Sequence, residues 1–410
     1  MRRTKVHIST VIFISVIMCI VSSMGTYFFL NNKMLSYGKT QQGHEDILSK
    51  LMKIDELVVK KYISKIDAKK LTDGIIFGYM GSLDDKYGTY LDRLSYKGYT
   101  GITSFYIENI GISVDYQNNA DGIYVTSVYK SSPADKCGLL IGDVIVDVEG
   151  THVDNTNVYY SAGRLSGTPQ TQVEIIVDRG GKLIELVLIR DSFAPVSVES
   201  FSQIDAATAY IRINYFSADT EKELKFQISR AKKAGAEKLI LDIRNNAGGN
   251  ITYVADTLKS LTSAGELFSK VFKEGLIDNK GKPAQPESFY SNGSSQLLMK
   301  TVILVNNYTY GTAELFAAVM RDANGALIIG EKTFGKGCEQ EVINLADDTA
   351  IRITTSFYRL QSGDSYDGTN VGITPEIPVP MTTESAKILH RLSIEQDLQM
   401  QKALEELTKD

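Results

Sequence analysis

The feature that most restricts the fold of this chain is a set of uninterrupted apolar runs, each leading through a turn into a helical pattern. Lys238-Leu-Ile-Leu-Asp-Ile243 runs into the glycine turn Asn245-Asn-Ala-Gly-Gly-Asn250 and then a helix to about Thr262. Thr301-Val-Ile-Leu-Val305 leads to a helix from about Thr312 to Asp322, and Ala326-Leu-Ile-Ile-Gly330 is a further strand. The strand Ala209–Ile213 precedes a helix over Thr220–Gly235, with Thr220 as its cap and Gly235 past its end. Repeated strand–turn–helix units build a mainly parallel sheet covered by helices. Residues 192–380 therefore read as an α/β core, with residues 265–300, rich in Gly, Ser and Lys, as a surface excursion. A helical segment, residues 381–410, closes the chain.

Residues 105–191 follow a different grammar. Ile110-Gly-Ile-Ser-Val114 and Gly122–Val128 alternate as strands do. Ser132-Pro-Ala-Asp-Lys-Cys-Gly-Leu139 reads as a short helix with Pro133 at its first position and Gly138 at its end. Leu140-Ile-Gly-Asp-Val-Ile145 continues as turn and strand. This run resembles a PDZ domain. The resemblance implies a loop, Asn109-Ile-Gly-Ile112, whose backbone at Ile110, Gly111 and Ile112 takes a peptide carboxylate while the peptide adds a strand to the sheet edge. Gly111 would let the backbone approach a ligand closely; the alternative is that it only relieves a strand turn.

The N-terminus carries Arg2, Arg3 and Lys5 ahead of an uncharged stretch from Ile8 to Leu30. As a helix it would span roughly 35 Å at ~1.5 Å per residue, enough for a hydrocarbon core of ~30 Å. The expectation is a cytoplasmic tail over residues 1–7, an uncleaved single-pass anchor over 8–30 and an extracytoplasmic body, with a cleaved signal peptide as the competing reading. Residues 44–104 form a helical region in which Ile47, Leu48, Leu51, Ile54, Leu57 and Val58 line one apolar face. Such a face needs the body of the protein or another copy. A second helix is expected to start at Leu71.

The chemistry is carried by Thr333-Phe-Gly-Lys-Gly-Cys-Glu-Gln340. With the glycine turn Asp242-Ile-Arg-Asn-Asn-Ala-Gly-Gly249, the stretch Asp84–Asp92 and the PDZ-like segment, it resembles the carboxyl-terminal processing, or tail-specific, serine peptidases. The resemblance implies a Clp-protease/crotonase-like core with an inserted PDZ domain. It also implies Lys336 as general base, Gln340 as the group that orients it, and Gly248 and Gly249 as oxyanion donors. Ala247 replaces the family's usual proline, and Glu314 and Asp322 stand where the family carries acidic residues. On their own those two read as helix surface.

The departure lies in Val305-Asn-Asn-Tyr-Thr-Tyr-Gly-Thr-Ala-Glu314, where the family's nucleophilic serine, three residues before the glutamate, is replaced by Gly311. Thr309, Thr312 and Cys338 are the substitutes within reach in sequence, and a neighbouring Lys336 could lower the Cys338 pKa. A one-residue shift on a helix turns a side chain by about 100°. Misplacement by an ångström costs about a hundredfold in rate, so the expectation is a pseudo-protease. An endopeptidase with a relocated nucleophile and a non-catalytic membrane-tethered scaffold are the alternatives.

The remaining composition excludes more than it assigns. Four histidines and three cysteines, with no ligand spacing, point away from metal or cofactor chemistry. A net charge of −5 favours neither nucleic acid nor an anionic lipid surface. Expected partners are polypeptide C-termini, a second copy, or an active homologue in a mixed oligomer.

Overall fold

The computed structural model describes residues 44–101, 106–115, 122–193, 196–274, 276, 283–293, 297–345, 347–363, 365–367 and 371–409. The expected span over residues 8–30 lies outside them. The chain divides into two units, one ending at Thr72 and one running from Asp73 onward. In the first, helix α1 (His44–Lys61) carries the anticipated apolar face: Ile47, Leu48, Ile54 and Leu57 are exposed, Leu51 and Val58 half-buried. Helix α2 (Ala68–Gly81) starts ahead of the expected Leu71.

After β1 (Thr89–Leu91) and α3 (Arg93–Gly101), the second unit builds a seven-stranded antiparallel body. Its elements are β2 (Tyr106–Ile107), β3 (Ile112–Asp115), β4 (Ile123–Val128), α4 (Pro133–Cys137), β5 (Val144–Val148), β6 (Thr151–His152), α5 (Val158–Leu165), β7 (Gln172–Asp178) and β8 (Leu183–Ile189). The sheet order is β2-β3-β4-β5-β7-β8, with β6 on β5. Helix α4 forms for the reasons visible in sequence. The Ser132 hydroxyl accepts from the Asp135 N–H, Pro133 opens the first turn, and Gly138 ends it at φ +85°. The expected strand from Ile110 is corrected: Glu108–Ile110 is a 3₁₀ turn, and the strand begins at Ile112.

The core follows with β9 (Ser202–Gln203), β10 (Thr208–Arg212), α6 (Thr220–Lys233), β11 (Lys238–Asp242), α7 (Ile251–Lys259), β12 (Gly265–Phe272), β13 (Glu287–Ser291), β14 (Lys300–Val305), α8 (Thr312–Asn324), β15 (Leu327–Gly330), β16 (Cys338–Asn344), β17 (Ala350–Leu360), β18 (Ile377–Pro378), α9 (Thr383–Lys387) and α10 (Leu398–Thr408). Strands β18-β15-β14-β11-β10 are parallel neighbours, and β9 adds antiparallel. Alternate residues of the apolar runs serve opposite faces. Leu239, Leu241, Ile303 and Val305 pack with α6, α7 and α8, while Ile240, Val302 and Leu304 meet Met400, Ala403 and Leu407 of α10.

The strands described within residues 265–300 are not a surface excursion: β12 and β13 join β1, β16 and β17 in a second sheet, and Phe268 is buried against Phe289. At the cap of α6 the helix starts with Thr220, and Asp219 holds the cap position.

Candidate active site

Two strand-to-helix turns lie side by side because β11 and β14 are parallel neighbours. Side chains stitch them together. Asn245 and Asn306 bond reciprocally: the Asn245 N–H donates to Asn306 Oδ1 at 2.9 Å, and Asn306 Nδ2 donates to Asn245 Oδ1 at 2.6 Å. The Thr309 hydroxyl donates to the Ile243 carbonyl at 3.0 Å and accepts from the Asn306 N–H. The Tyr310 N–H donates to the Asn246 carbonyl. Beneath them Asp242 is buried between Arg212 and Arg244, which hold its carboxyl well below the usual range despite burial. Arg244 continues to Asp397 at 2.8 Å, tying the glycine turn to the start of α10.

Gly311 stands at the head of α8 with φ +64° and ψ −123°. That is a sharp strand-to-helix elbow of the kind that presents a nucleophile. A Cβ added there would meet only the Ala247 carbonyl oxygen, at 3.9 Å. Glu314 is fully buried, which corrects its reading as helix surface. It accepts from the N–H groups of Gly311, Gly335 and Lys336 at 2.8–2.9 Å and from the Thr333 hydroxyl. Burial pushes its carboxyl up to about 7, yet four donors aimed at two oxygens make the geometry that of a carboxylate. This one side chain fixes the lysine loop to the elbow. Asp322, by contrast, pairs with Arg321 at the far end of α8.

Lys336 is 6 % exposed. Its amine lies 4.7 Å from the ring centroids of both Tyr87 and Tyr310. Burial, with the Arg352 charge nearby, brings it down to about 8. Sequence reasoning did not assign Tyr87, although it lies inside the Asp84–Asp92 stretch. Asp85 holds that stretch by accepting from the Tyr87 and Thr354 N–H groups, and Arg352 Nε donates to the Tyr87 carbonyl at 2.8 Å. The β-rich body closes over the site. The buried Asp115 of β3 acts electrostatically on Lys336, Arg352 and Tyr310, and a Cβ on Gly142 would lie 3.6 Å from the Tyr308 hydroxyl.

Several expected roles change. The Gly248 N–H donates to Asn246 Oδ1 at 2.8 Å and the Gly249 N–H to Thr312 Oγ1 at 2.9 Å, so neither is turned to an oxyanion. A donor that the sequence reading missed is the Thr312 N–H, the first of α8, which makes no backbone bond among the described residues. It follows the elbow residue directly, the position from which such a turn supplies an oxyanion donor. The Thr312 hydroxyl donates to the Gly249 carbonyl at 2.9 Å, and the Thr309 hydroxyl is committed to Ile243. Cys338 is pushed up to about 12 by burial and by Asp367, against the pull of Lys336, so its thiol is not activated. The Gln340 amide donates to Cys338 Sγ at 3.2 Å and Thr354 Oγ1 at 3.3 Å rather than to the lysine base.

The anticipated peptide loop is also changed. Ile110 and Ile112 are fully buried, and a Cβ on Gly111 would lie 2.3 Å from Ser132 Cβ and 2.8 Å from the Phe193 ring. The glycine is required by internal packing at φ +71°. Strand β2 pairs with β3 (Ile107 opposite Ile112), so β3 has a strand on both edges.

Residues 207–379 match the family described as Peptidase family S41, residues 109–189 a PDZ domain, and residues 19–95 the Activating protease CtpB N-terminal domain. The chain is 32% identical over 362 residues to the carboxy-terminal processing protease CtpA of Bacillus subtilis (strain 168), covering 86% of this chain and 73% of that protein. It is 28% identical over 382 residues to a probable CtpA-like serine protease of Staphylococcus aureus (strain COL), covering 92% and 74%. The structure of a photosystem II D1 C-terminal processing protease superposes with a TM-score of 0.63 at 26% identity, over 80% of this chain and 86% of that one. A putative S41 protease from Bacteroides fragilis shares the fold at a TM-score of 0.52 and 16% identity, over 85% and 94%. The elbow, the buried lysine and the PDZ body thus have a common origin: the chain belongs to the C-terminal processing serine peptidases of family S41.

Proposed function

We propose that this chain is a membrane-anchored, extracytoplasmic member of its family that engages polypeptide C-termini through its PDZ body and does not hydrolyse them. One observation carries the reading. The residue at the elbow has no side chain, and the three candidate substitutes among the described residues are otherwise engaged: Thr309 on Ile243, Thr312 on Gly249, and Cys338 held as a thiol. Of the candidate nucleophiles among the described residues, none then offers a base at about 8 a free hydroxyl or thiol to activate. The uncharged stretch from Ile8 to Leu30 behind three basic residues supports the anchor. In this state β2 covers the edge of β3 that a peptide would extend, so binding begins with release of β2. Such a protein can sequester substrates, or regulate an active homologue in a mixed oligomer.

The test is a fluorescence-anisotropy titration with unstructured peptides ending in apolar residues, followed by mass spectrometry of the same samples. Saturable binding with intact peptide is expected, along with loss of binding when the terminal carboxylate is amidated. Equal binding of the amidated peptide removes C-terminal recognition from the account.

A further inference from the structure

Strand β8 ends the sheet of the β-rich body and pairs only with β7 among the described residues. The strand at the other end of that sheet and both end strands of the parallel sheet are two residues long. By contrast β8 has seven, with no Gly, Pro or Lys among them and Glu185 as its one charge. Its outward row is Leu183, Glu185, Val187 and Ile189, with the three apolar side chains 66%, 51% and 53% exposed. Natural edge strands are kept apart by shortness, charged side chains (lysine above all), proline or bulges, and of these devices β8 has only the single charge of Glu185.

The occupant that this edge fits is another β8. Antiparallel pairing about Leu186 sets Leu183 against Ile189, Ile184 against Leu188 and Glu185 against Val187. All seven residues are then used, and no like charges are opposed. Centring the pair on Glu185 would oppose two carboxylates, which is unfavourable. The arrangement has two-fold symmetry, so one patch serves both copies. We infer that β8 is a homodimer interface: two copies of this chain pair their β8 strands antiparallel about Leu186, joining two PDZ bodies in one continuous sheet.

The test uses the full chain in detergent micelles, with Cys19, Cys137 and Cys338 replaced by alanine. Leu186→Cys is expected to form a covalent dimer on mild oxidation, since directly opposed Cβ atoms lie within disulfide reach. Leu183→Cys alone is expected not to, whereas a mixture of Leu183→Cys and Ile189→Cys is. Adding Leu183→Glu with Ile189→Glu to the Leu186→Cys chain opposes like charges twice and should cut cross-linking at least about tenfold. Leu183→Lys with Ile189→Glu should restore it. Dimerisation through any other surface does not give this pattern. The inference is overturned if Leu186→Cys fails to cross-link, if Leu183→Cys alone cross-links equally well, or if the double-glutamate chain is unaffected.

Discussion

At the scale of single residues, Gly311 and Lys336 define the molecule. The elbow angles of Gly311 strain any side chain by about 1–3 kcal/mol, but the direction its Cβ would take is open. Gly311→Ser should therefore fold with a modest loss of stability and gain Lys336-dependent peptide cleavage. A folded variant with no cleavage would mean that more than the nucleophile is missing. Lys336 gives a pH signature. Its value falls from 10.5 in the unfolded chain to about 8 when buried, so between these values the unfolded state binds more protons and stability rises with pH. Below pH 8 the full cost is present, about 3 kcal/mol at about 1.4 per pK unit. Lys336→Met should thus raise the urea midpoint at pH 7 and lose that advantage above about pH 10.5, as pH-dependent unfolding curves would report. Lys336 and Gly311 could be singled out in sequence because each sits in a short contiguous motif. The partners of Thr309, Thr312 and Gly249 were not, since each hydroxyl is claimed by a turn more than sixty residues away.

At the scale of elements, Glu314 joins helix α8 to the loop that carries the lysine. Glu314→Gln would turn an amide nitrogen toward N–H donors and leave buried groups unpaired, at a cost of about 2–4 kcal/mol in urea unfolding. An unchanged midpoint would remove the clamp from the account. Sequence could not reveal the clamp, because a glutamate in a first helical turn has the same pattern whether exposed or buried. The parallel strands were legible from unbroken apolar runs such as Leu239–Leu241. Strands β12 and β13 were not: their residues are mostly half-buried, and the segment between them, with three Lys, two Gly and two Pro, masks the alternation. The hydrogen bonds of Gln340 were not legible for a related reason. The register of β16 on β17 shifts between Glu339 and Gln340, and such a shift has no signature in this sequence.

At the scale of the whole molecule, the β-rich body is tied to the C-terminal segment as well as closed over the site. Asp135 of α4 accepts from His390 Nε2 at 3.1 Å and from Arg391 Nε at 2.8 Å, while Leu389 enters the core of the β-rich body. Burial lowers the His390 pKa, so the neutral ring donates to Asp135 and Arg391 supplies the charge. Asp135→Ala should speed amide exchange across residues 381–397 while leaving the parallel sheet protected; uniform exchange would show that the tie is dispensable. The central claim concerns what the closed site can do. The most direct measurement is mass spectrometry of unstructured peptides incubated with the full chain and, in parallel, with Lys336→Ala. The account predicts the same uncut peptides in both; products that form with the natural chain and vanish in the alanine variant would contradict it.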